Sequence, residues 1–129
     1  KFDVFSRGNG MLRETTLSNL HGSLDSIVSF TGQAFTIPDH ATSVITFNAN
    51  YKVLMPEVAW EFSRDTKMIP AEGLSQLAYC RYGSGKIVVA GEAAMFTAQR
   101  VGDMKFGLNA SFAPDNLQLL LNILEWLSH

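Results

Sequence analysis

The stretch GSGKIVVAGEAAMF, residues 83–96, decides the predicted fold. Ile87–Ala90 is apolar without alternation, which is typical of a short strand covered on both faces. Gly91 permits a sharp turn because it has no Cβ, and Glu92 follows at the end of the strand. Ligands bind at this end of the strands in open α/β sheets, but an acid at a helix start is also stabilised by the helix dipole. Glu92 is therefore either a ligand-binding residue or a capping acid.

Residues 83–86, GSGK, are similar to the end of a phosphate-binding P-loop, but the rest of that motif is missing. The motif requires a glycine where the chain has Cys80, and Ser or Thr where it has Ile87. It also joins a strand to a helix, whereas a strand follows here. The glycines instead predict the turn of an antiparallel hairpin between residues 74–82 and 86–90.

The length and composition are typical of a single globular domain, which here spans residues 1–129. The hydrophobic fraction of 47% is enough for a core, and a net charge of −2 without a basic run gives no electrostatic basis for nucleic-acid binding. The apolar runs are too short for a membrane span. The chain begins with Lys1 and has no signal-peptide pattern. We expect a soluble protein, and both a cytoplasmic protein and one exported after removal of a leader remain open.

Cysteine and histidine usage predicts neither a metal site nor a cofactor. Cys80 is the single cysteine, which excludes an intrachain disulfide and a cysteine-cluster metal site. The three histidines, His21, His40 and His129, follow no spacing typical of metal ligands. No Gly-x-Ser-x-Gly motif singles out a nucleophilic serine. The sequence therefore marks no catalytic residue.

The rest of the chain alternates between strand and loop patterns. β-Branched and alternating apolar residues predict strands, and the segment after Gly91 predicts a short helix. Glycine and polar residues in 100–113 predict an irregular surface loop. The predicted strands are 24–30, 42–47, 51–55 and, more weakly, 58–62, and the short helix is 93–99.

The last predicted element is a helix over Leu117–Leu127. Asp115 is the expected N-cap, with Gln118 as its capping-box partner. A polar stripe at helical spacing predicts the solvent face, and the remaining sides are apolar, so we expect this helix to pack deeply across the sheet. The stripe consists of Gln118, Asn122 and Glu125, and Trp126 and Leu127 are the expected anchors.

Together these segments resemble the C-terminal part of class I glutamine amidotransferase-like domains, in a branch found in uncharacterised bacterial proteins. The resemblance rests on GSGKIVVAGEAAMFTAQ (83–99), DNLQLLLNILEWL (115–127), SFTGQAF (29–35) and PEVAW (56–60). It implies an α/β, or α+β, domain of reduced flavodoxin-like form. Such a domain has a mixed sheet, a C-terminal hairpin and a long packed C-terminal helix. The chain would then be either the C-terminal part of a larger fold or a reduced version of it.

The resemblance does not extend to the amidotransferase catalytic triad. That triad needs a cysteine on a strand-to-helix elbow and a later His-x-Glu pair, but Cys80 lies in a predicted hairpin strand. His21 and His40 precede it, and His129 ends the chain. Glutamine hydrolysis is therefore not expected. The N-terminal βαβ units are also missing, so we expect an open sheet edge or face to pair with a second copy in a homodimer or larger assembly. The competing explanation is that the chain is part of a longer protein.

Four polar residues near element ends are the candidate ligand-binding residues, because binding sites are assembled where elements end. The alternative is that they are helix-capping acids and loop amides. Three functions remain open: a non-catalytic module that binds a small molecule or a protein, a hydrolase with Glu92 as its base, and a structural subunit. The four candidates are Glu92, Gln99, Asn109 and Asp115.

Overall fold

The computed structural model describes residues 2–129, which contain nine strands and one α-helix. A single 3₁₀ turn, Ala94–Phe96, follows the seventh strand. The strands are β1 (Asp3–Ser6), β2 (Ser26–Ser29), β3 (Thr42–Thr46), β4 (Lys52–Met55), β5 (Lys67–Pro70), β6 (Ser75–Tyr82), β7 (Gly85–Ala90), β8 (Ala98–Val101) and β9 (Met104–Gly107), and the helix is α1 (Asn116–Leu127).

The strands form four small sheets, with orders β1-β2, β3-β6-β7, β4-β5 and β8-β9. Every strand pairing within residues 2–129 is antiparallel. The predicted flavodoxin-like α/β fold with a mixed sheet is therefore wrong, and the protein is mostly β. A parallel sheet needs long crossover connections, usually helical, and in this part of the chain the α-helix comes after the last strand.

The hairpin predicted from the glycine turn is confirmed. β6 and β7 pair in register from Leu77 opposite Ala90 to Tyr82 opposite Gly85. Gly83, with φ 58°, begins the two-residue connection, because type II′ hairpin turns need positive φ at their first central residue.

Three other local predictions are wrong. The helix predicted over 93–99 is only the 3₁₀ turn followed by the start of β8, and the loop predicted over 100–113 contains the β8–β9 hairpin, which turns at Gly102. The strand predicted over 58–62 is absent, while the strand Lys67–Pro70 was missed. Short apolar patterns do not separate strand from loop when the packing partner is unknown.

The core lies where the three-stranded sheet, the β1–β2 pair and α1 meet. Its largest members are fully buried, among them Phe5, Leu24, Ile45, Leu77 and Leu119. A smaller cluster of Val28, Phe30, Ala110 and Ala113 lies apart from it. The chain therefore builds its core from many short elements rather than from one large sheet.

Helix α1 has the predicted bounds within one residue, but its faces differ from the prediction. Asn122, expected at the surface, is fully buried, and four leucines expected to pack are exposed. Trp126 is half-buried, with its ring centroid 5.0 Å from that of Tyr79. The prediction of Leu127 as an anchor is wrong, because it is among the exposed leucines, Leu117, Leu121, Leu124 and Leu127. No helix in the described part of the chain is long and apolar enough to cross a membrane.

Candidate functional site

Two glycines bring a loop against the end of β7. The Gly91 amide donates to the Gln76 carbonyl over 2.7 Å, and the Gln33 amide donates to the Gly91 carbonyl over 2.8 Å. A Cβ on Gly91 would collide with the Gln33 carbonyl oxygen. At Gly32, where φ is +135°, a Cβ would lie 2.7 Å from the Cβ of Glu92. Only glycine permits these approaches, and they place Glu92 beside β6.

The Glu92 carboxylate is held by the backbone. Its side chain is buried, at 5% exposure. Oε1 accepts from the Ala94 amide at 2.8 Å, and Oε2 accepts from the Met95 amide at 3.0 Å. Burial raises its pKa, and hydrogen bonds from the Met95, Ala94 and Phe30 amides oppose that rise. Glu92 thus caps the 3₁₀ turn with both oxygens.

Gln76, on β6 beside Glu92, has an unsatisfied acceptor. The residue is 3% exposed, and its Nε2 donates to the Thr31 carbonyl over 3.4 Å. Its Oε1 is buried and has no hydrogen-bond partner among residues 2–129. A buried acceptor without a partner costs about 1–3 kcal/mol of folding free energy.

Gln76 and Glu92 both line a cavity of about 640 Å³. This volume lies within the range of small-molecule sites, roughly 300–1,000 Å³. Much of its wall is aromatic, with polar groups at a few places, which is also typical of such sites. The aromatic residues are Phe5, Phe47, Tyr51, Trp60 and Phe62, and the charged ones are Asp3, Lys52 and Glu92.

A second polar pair lies in the cavity wall. The Tyr51 hydroxyl donates to Asp3 Oδ1 over 3.3 Å. Burial, together with the negative charge and hydrogen bond of Asp3, raises the pKa of Tyr51. The hydroxyl therefore stays protonated at neutral pH and acts as a hydrogen-bond donor. Asp3 and Glu92 make the polar part of the cavity wall acidic, apart from Lys52.

Trp60 lies at the cavity in a strained conformation. Its φ of 69° is the one positive value found for a residue other than glycine among residues 2–129. Its side chain is 80% exposed, although the ring lines the cavity together with Phe62. Left-handed backbone is unusual for a bulky residue and costs about 1–3 kcal/mol. Such strain is found most often at functional sites.

The structure does not bring the four predicted site residues together. Glu92 lines the cavity, whereas Gln99, Asn109 and Asp115 do not. The Gln99 side chain donates to Thr97 Oγ1 over 2.7 Å, and Asn109 Nδ2 donates to the Gln99 carbonyl over 3.3 Å. These two residues therefore belong to the β8–β9 region.

Asp115 stabilises the start of β2 rather than its own helix. Its Oδ2 accepts from the Asp25 amide at 2.9 Å and from the Ser26 amide at 3.0 Å. No side-chain hydrogen bond caps α1, and Gln118 donates to Asn122 Oδ1 instead. Asp115 is the N-cap position, as predicted, but the predicted capping box does not form.

Sequence reasoning missed most of the cavity. Gln76 is the second residue of β6, and its polarity is no distinctive signal because the strand also contains Ser75 and Arg81. Tyr51 and Asp3 are 48 positions apart, so no motif could pair them. The detectable signal was the two glycines, Gly32 and Gly91, beside polar residues.

The described residues contain no group of three or more His, Cys, Asp or Glu side chains that could hold a metal ion. Comparison of the chain with protein-family models, with curated proteins and with solved structures found no match. The resemblance to amidotransferase-like domains therefore stays a prediction.

Proposed function

We propose that the protein is a non-catalytic small-molecule-binding module whose ligand occupies the 640 Å³ cavity. The observation that carries this proposal is the buried Gln76 Oε1, which has no hydrogen-bond partner in the described part of the chain. A ligand that donates a hydrogen bond there removes the cost of an unsatisfied acceptor. Amidotransferase-like ancestry is part of the proposal only through the sequence resemblance.

The cavity walls suggest the chemistry of the ligand. Five aromatic rings in the wall favour a planar or apolar ring system, since aromatic groups gain from stacked and edge-to-face contacts. Gln76 Oε1 accepts but cannot donate, so the ligand must carry an N–H or O–H group. The carboxylates of Asp3 and Glu92 disfavour an anion. A compact neutral or cationic ring with a donor group fits these conditions.

A hydrolase with Glu92 as its base is less well supported. Both carboxylate oxygens accept backbone hydrogen bonds at 2.8 and 3.0 Å. A general base must reach the proton that it removes, at hydrogen-bond distance. Both carboxylate oxygens of Glu92 already accept hydrogen bonds from backbone amides of the 3₁₀ turn. These bonds support a structural role for the carboxylate.

A fragment screen tests the binding proposal. Small aromatic compounds with an N–H or O–H donor are titrated against the protein and followed by NMR chemical shifts. Hits should perturb the Gln76 side-chain amide and should be lost in Gln76→Leu. Gln99→Leu is the matched control, because Gln99 lies outside the cavity. Hits that bind Gln76→Leu as tightly as the unmodified protein would contradict the proposal.

Self-association is a second proposed property, and exposed apolar surface supports it. Four leucines of α1 are 39–50% exposed, and β7 has apolar residues at a sheet edge. Aligned apolar residues on one helix side mark contact surfaces more often than isolated ones do. We therefore propose a homodimer. Sedimentation velocity over a range of protein concentrations tests it, and a monomer at every concentration would refute it.

A further inference from the structure

The two edges of the three-stranded sheet differ. The β3 edge is covered, because the Arg13 amide donates to the Val44 carbonyl and the Thr46 amide to the Met11 carbonyl. β3 also has register shifts, which disrupt pairing at an edge. β7 is the other edge, and no described residue outside β6 pairs with its residues 85–90. The sheet is therefore open on one side.

The hydrogen-bond pattern shows which groups of β7 are free. The Gly91 amide donates to the Gln76 carbonyl, and hydrogen-bonded positions alternate along an antiparallel pair. The odd-numbered positions Ile87 and Val89 therefore bond to β6. The backbone N–H and C=O groups of Lys86, Val88 and Ala90 point away from β6. Three donors and three acceptors are available on the open edge.

The open edge lacks the usual protection against pairing. Natural edges carry proline, bulges or free lysines, but β7 has no proline and pairs with β6 without a register shift. Its one charged side chain is Lys86, whose Nζ donates to the Trp126 carbonyl over 2.7 Å. Ile87 and Val89 are 40% and 48% exposed.

We propose that β7 pairs antiparallel with β7 of a second copy, about a two-fold axis at Val88. This inference rests on the proposed self-association and names its surface. In this register Lys86 lies opposite Ala90 of the second copy, and Val88 lies opposite its own equivalent. All six free backbone groups then form hydrogen bonds across the axis. Ile87 also lies opposite Val89 of the second copy.

Charge and overlap favour this register over those with an axis at Lys86 or at Ala90. An axis at Lys86 would place two lysines opposite each other, and like charges directly opposite are destabilising. An axis at Ala90 would leave Lys86 and its free groups without a partner. The axis at Val88 avoids both faults, and it joins the two sheets into one of six strands. Isologous pairing of this kind satisfies both copies at once.

The α1 helices are compatible with this pairing. Trp126 contacts Tyr79 and Lys86, and Tyr79 pairs with Val88 across the hairpin, so α1 lies on the face that carries these side chains. The two-fold axis of a continuous antiparallel sheet is perpendicular to the sheet. Both α1 helices then lie on one face, and Ile87 and Val89 lie on the other.

Val88→Pro tests the pairing, because proline removes an N–H that β6 does not use and is tolerated at edge strands. Val88→Ala is the matched control, since it loses side-chain atoms but keeps the N–H. Sedimentation velocity is measured for all three proteins, with circular dichroism to verify folding. We expect similar dimer dissociation constants for the unmodified protein and Val88→Ala, and one at least about tenfold weaker for Val88→Pro.

If Val88→Pro does not fold, Ile87→Lys combined with Val89→Lys replaces it. This variant leaves the backbone intact and places lysines opposite each other, so dimers should weaken. The control is Met68→Lys combined with Met104→Lys, at exposed positions of other hairpins. Dimers that persist in the edge variants would overturn the β7 pairing while leaving self-association intact. A monomeric unmodified protein would overturn both.

Discussion

Two buried amide side chains, Asn122 on α1 and Gln76 on β6, have opposite hydrogen-bond states. Asn122 Oδ1 accepts from the His21 and Gly22 amides at 3.0 and 3.1 Å. Its Nδ2 donates to the Leu17 and Gly22 carbonyls at 2.7 and 2.9 Å. Gln76 has one long bond, and its Oε1 has none.

This difference separates a structural amide from a binding amide. Asn122 forms hydrogen bonds with backbone groups of a loop that would otherwise lack partners. The partners of its own side chain therefore all belong to the protein. Gln76 lines a cavity and keeps an acceptor free. Ser29 Oγ and Asn109 Oδ1 also lack partners, but neither residue lines this cavity. Among residues 2–129, Gln76 alone combines a buried acceptor without a partner and a position in the wall of this cavity.

The largest effect is expected for Asn122→Leu. The substitution leaves the His21 and Gly22 amides and the Gly22 carbonyl, which are part-buried, and the buried Leu17 carbonyl without this partner. At about 1–3 kcal/mol for each unsatisfied group, partly relieved by relaxation, we expect a loss of roughly 4 kcal/mol in unfolding free energy. Urea denaturation measures it. A loss below about 1 kcal/mol would remove the contrast with Gln76.

Glu92→Ala is expected to cost about 2 kcal/mol at neutral pH, because the Ala94 and Met95 amides lose their acceptor. The control is Glu125→Ala, at an exposed position on α1, which should change stability by less than about 0.5 kcal/mol. Thermal and urea unfolding measure both variants. Equal stabilities would show that the carboxylate does not support the 3₁₀ turn.

The raised pKa of Glu92 predicts how the free energy of unfolding changes with pH. Its folded pKa is raised, chiefly by burial, so the folded state holds the proton more tightly than the unfolded state. Stability should therefore fall as pH rises from the ordinary pKa of a glutamate to the raised value, and Glu92 should add no further change above that. Glu92→Gln should lack this fall. An unchanged pH profile in that variant would show that another group causes it.

Substitutions of Trp60, at the cavity, are expected to have a smaller effect on the free energy of unfolding. Trp60→Gly and Trp60→Ala both remove the ring, but only glycine adopts a φ of 69° without strain. We expect Trp60→Gly to be more stable than Trp60→Ala by about 1 kcal/mol. Chemical denaturation of the pair measures this difference. If alanine is the more stable of the two, the backbone at this position is not strained.

The smallest effect on stability is expected for Gln76→Leu. Leucine has a similar volume and removes an acceptor that already lacks a partner, so unfolding free energy should change by less than about 1 kcal/mol. The same denaturation series measures it beside Asn122→Leu. A loss as large as that of Asn122→Leu would mean that Gln76 is structural, and the distinction between the two amides would be lost.

Local signals in the sequence predicted two elements well, the β6–β7 hairpin and α1, and failed for the short segments at 58–62, 67–70 and 93–113. The glycines at 83 and 85 identified the β6–β7 hairpin, and the leucine-rich pattern identified α1 to within one residue. The predicted sheet topology was wrong. Whether two strands pair parallel or antiparallel depends on contacts between segments that are far apart in the chain, and no short sequence pattern records these contacts. The polar face of α1 was wrong for a related reason: Asn122 binds a loop about 100 residues earlier in the chain.

Of the residues predicted for the candidate site, only Glu92 lines the cavity. Gly91 followed by Glu92 is a visible local feature, and it does line the cavity. Gln76, Tyr51 and Asp3 reach the same cavity from distant strands and turns, so their meeting depends on the tertiary fold. Gln99, Asn109 and Asp115 were chosen for lying at element ends, and each is bonded elsewhere.

The most direct test of binding at Gln76 is a double-mutant cycle by calorimetry. The strongest aromatic fragment from the screen is compared with an analogue whose donor N–H or O–H is methylated, on the unmodified protein and on Gln76→Leu. We predict that methylation weakens binding at least about tenfold in the unmodified protein and has little effect in Gln76→Leu. Equal weakening in both proteins would show that the ligand donor does not meet Gln76 Oε1, and would contradict the proposed site.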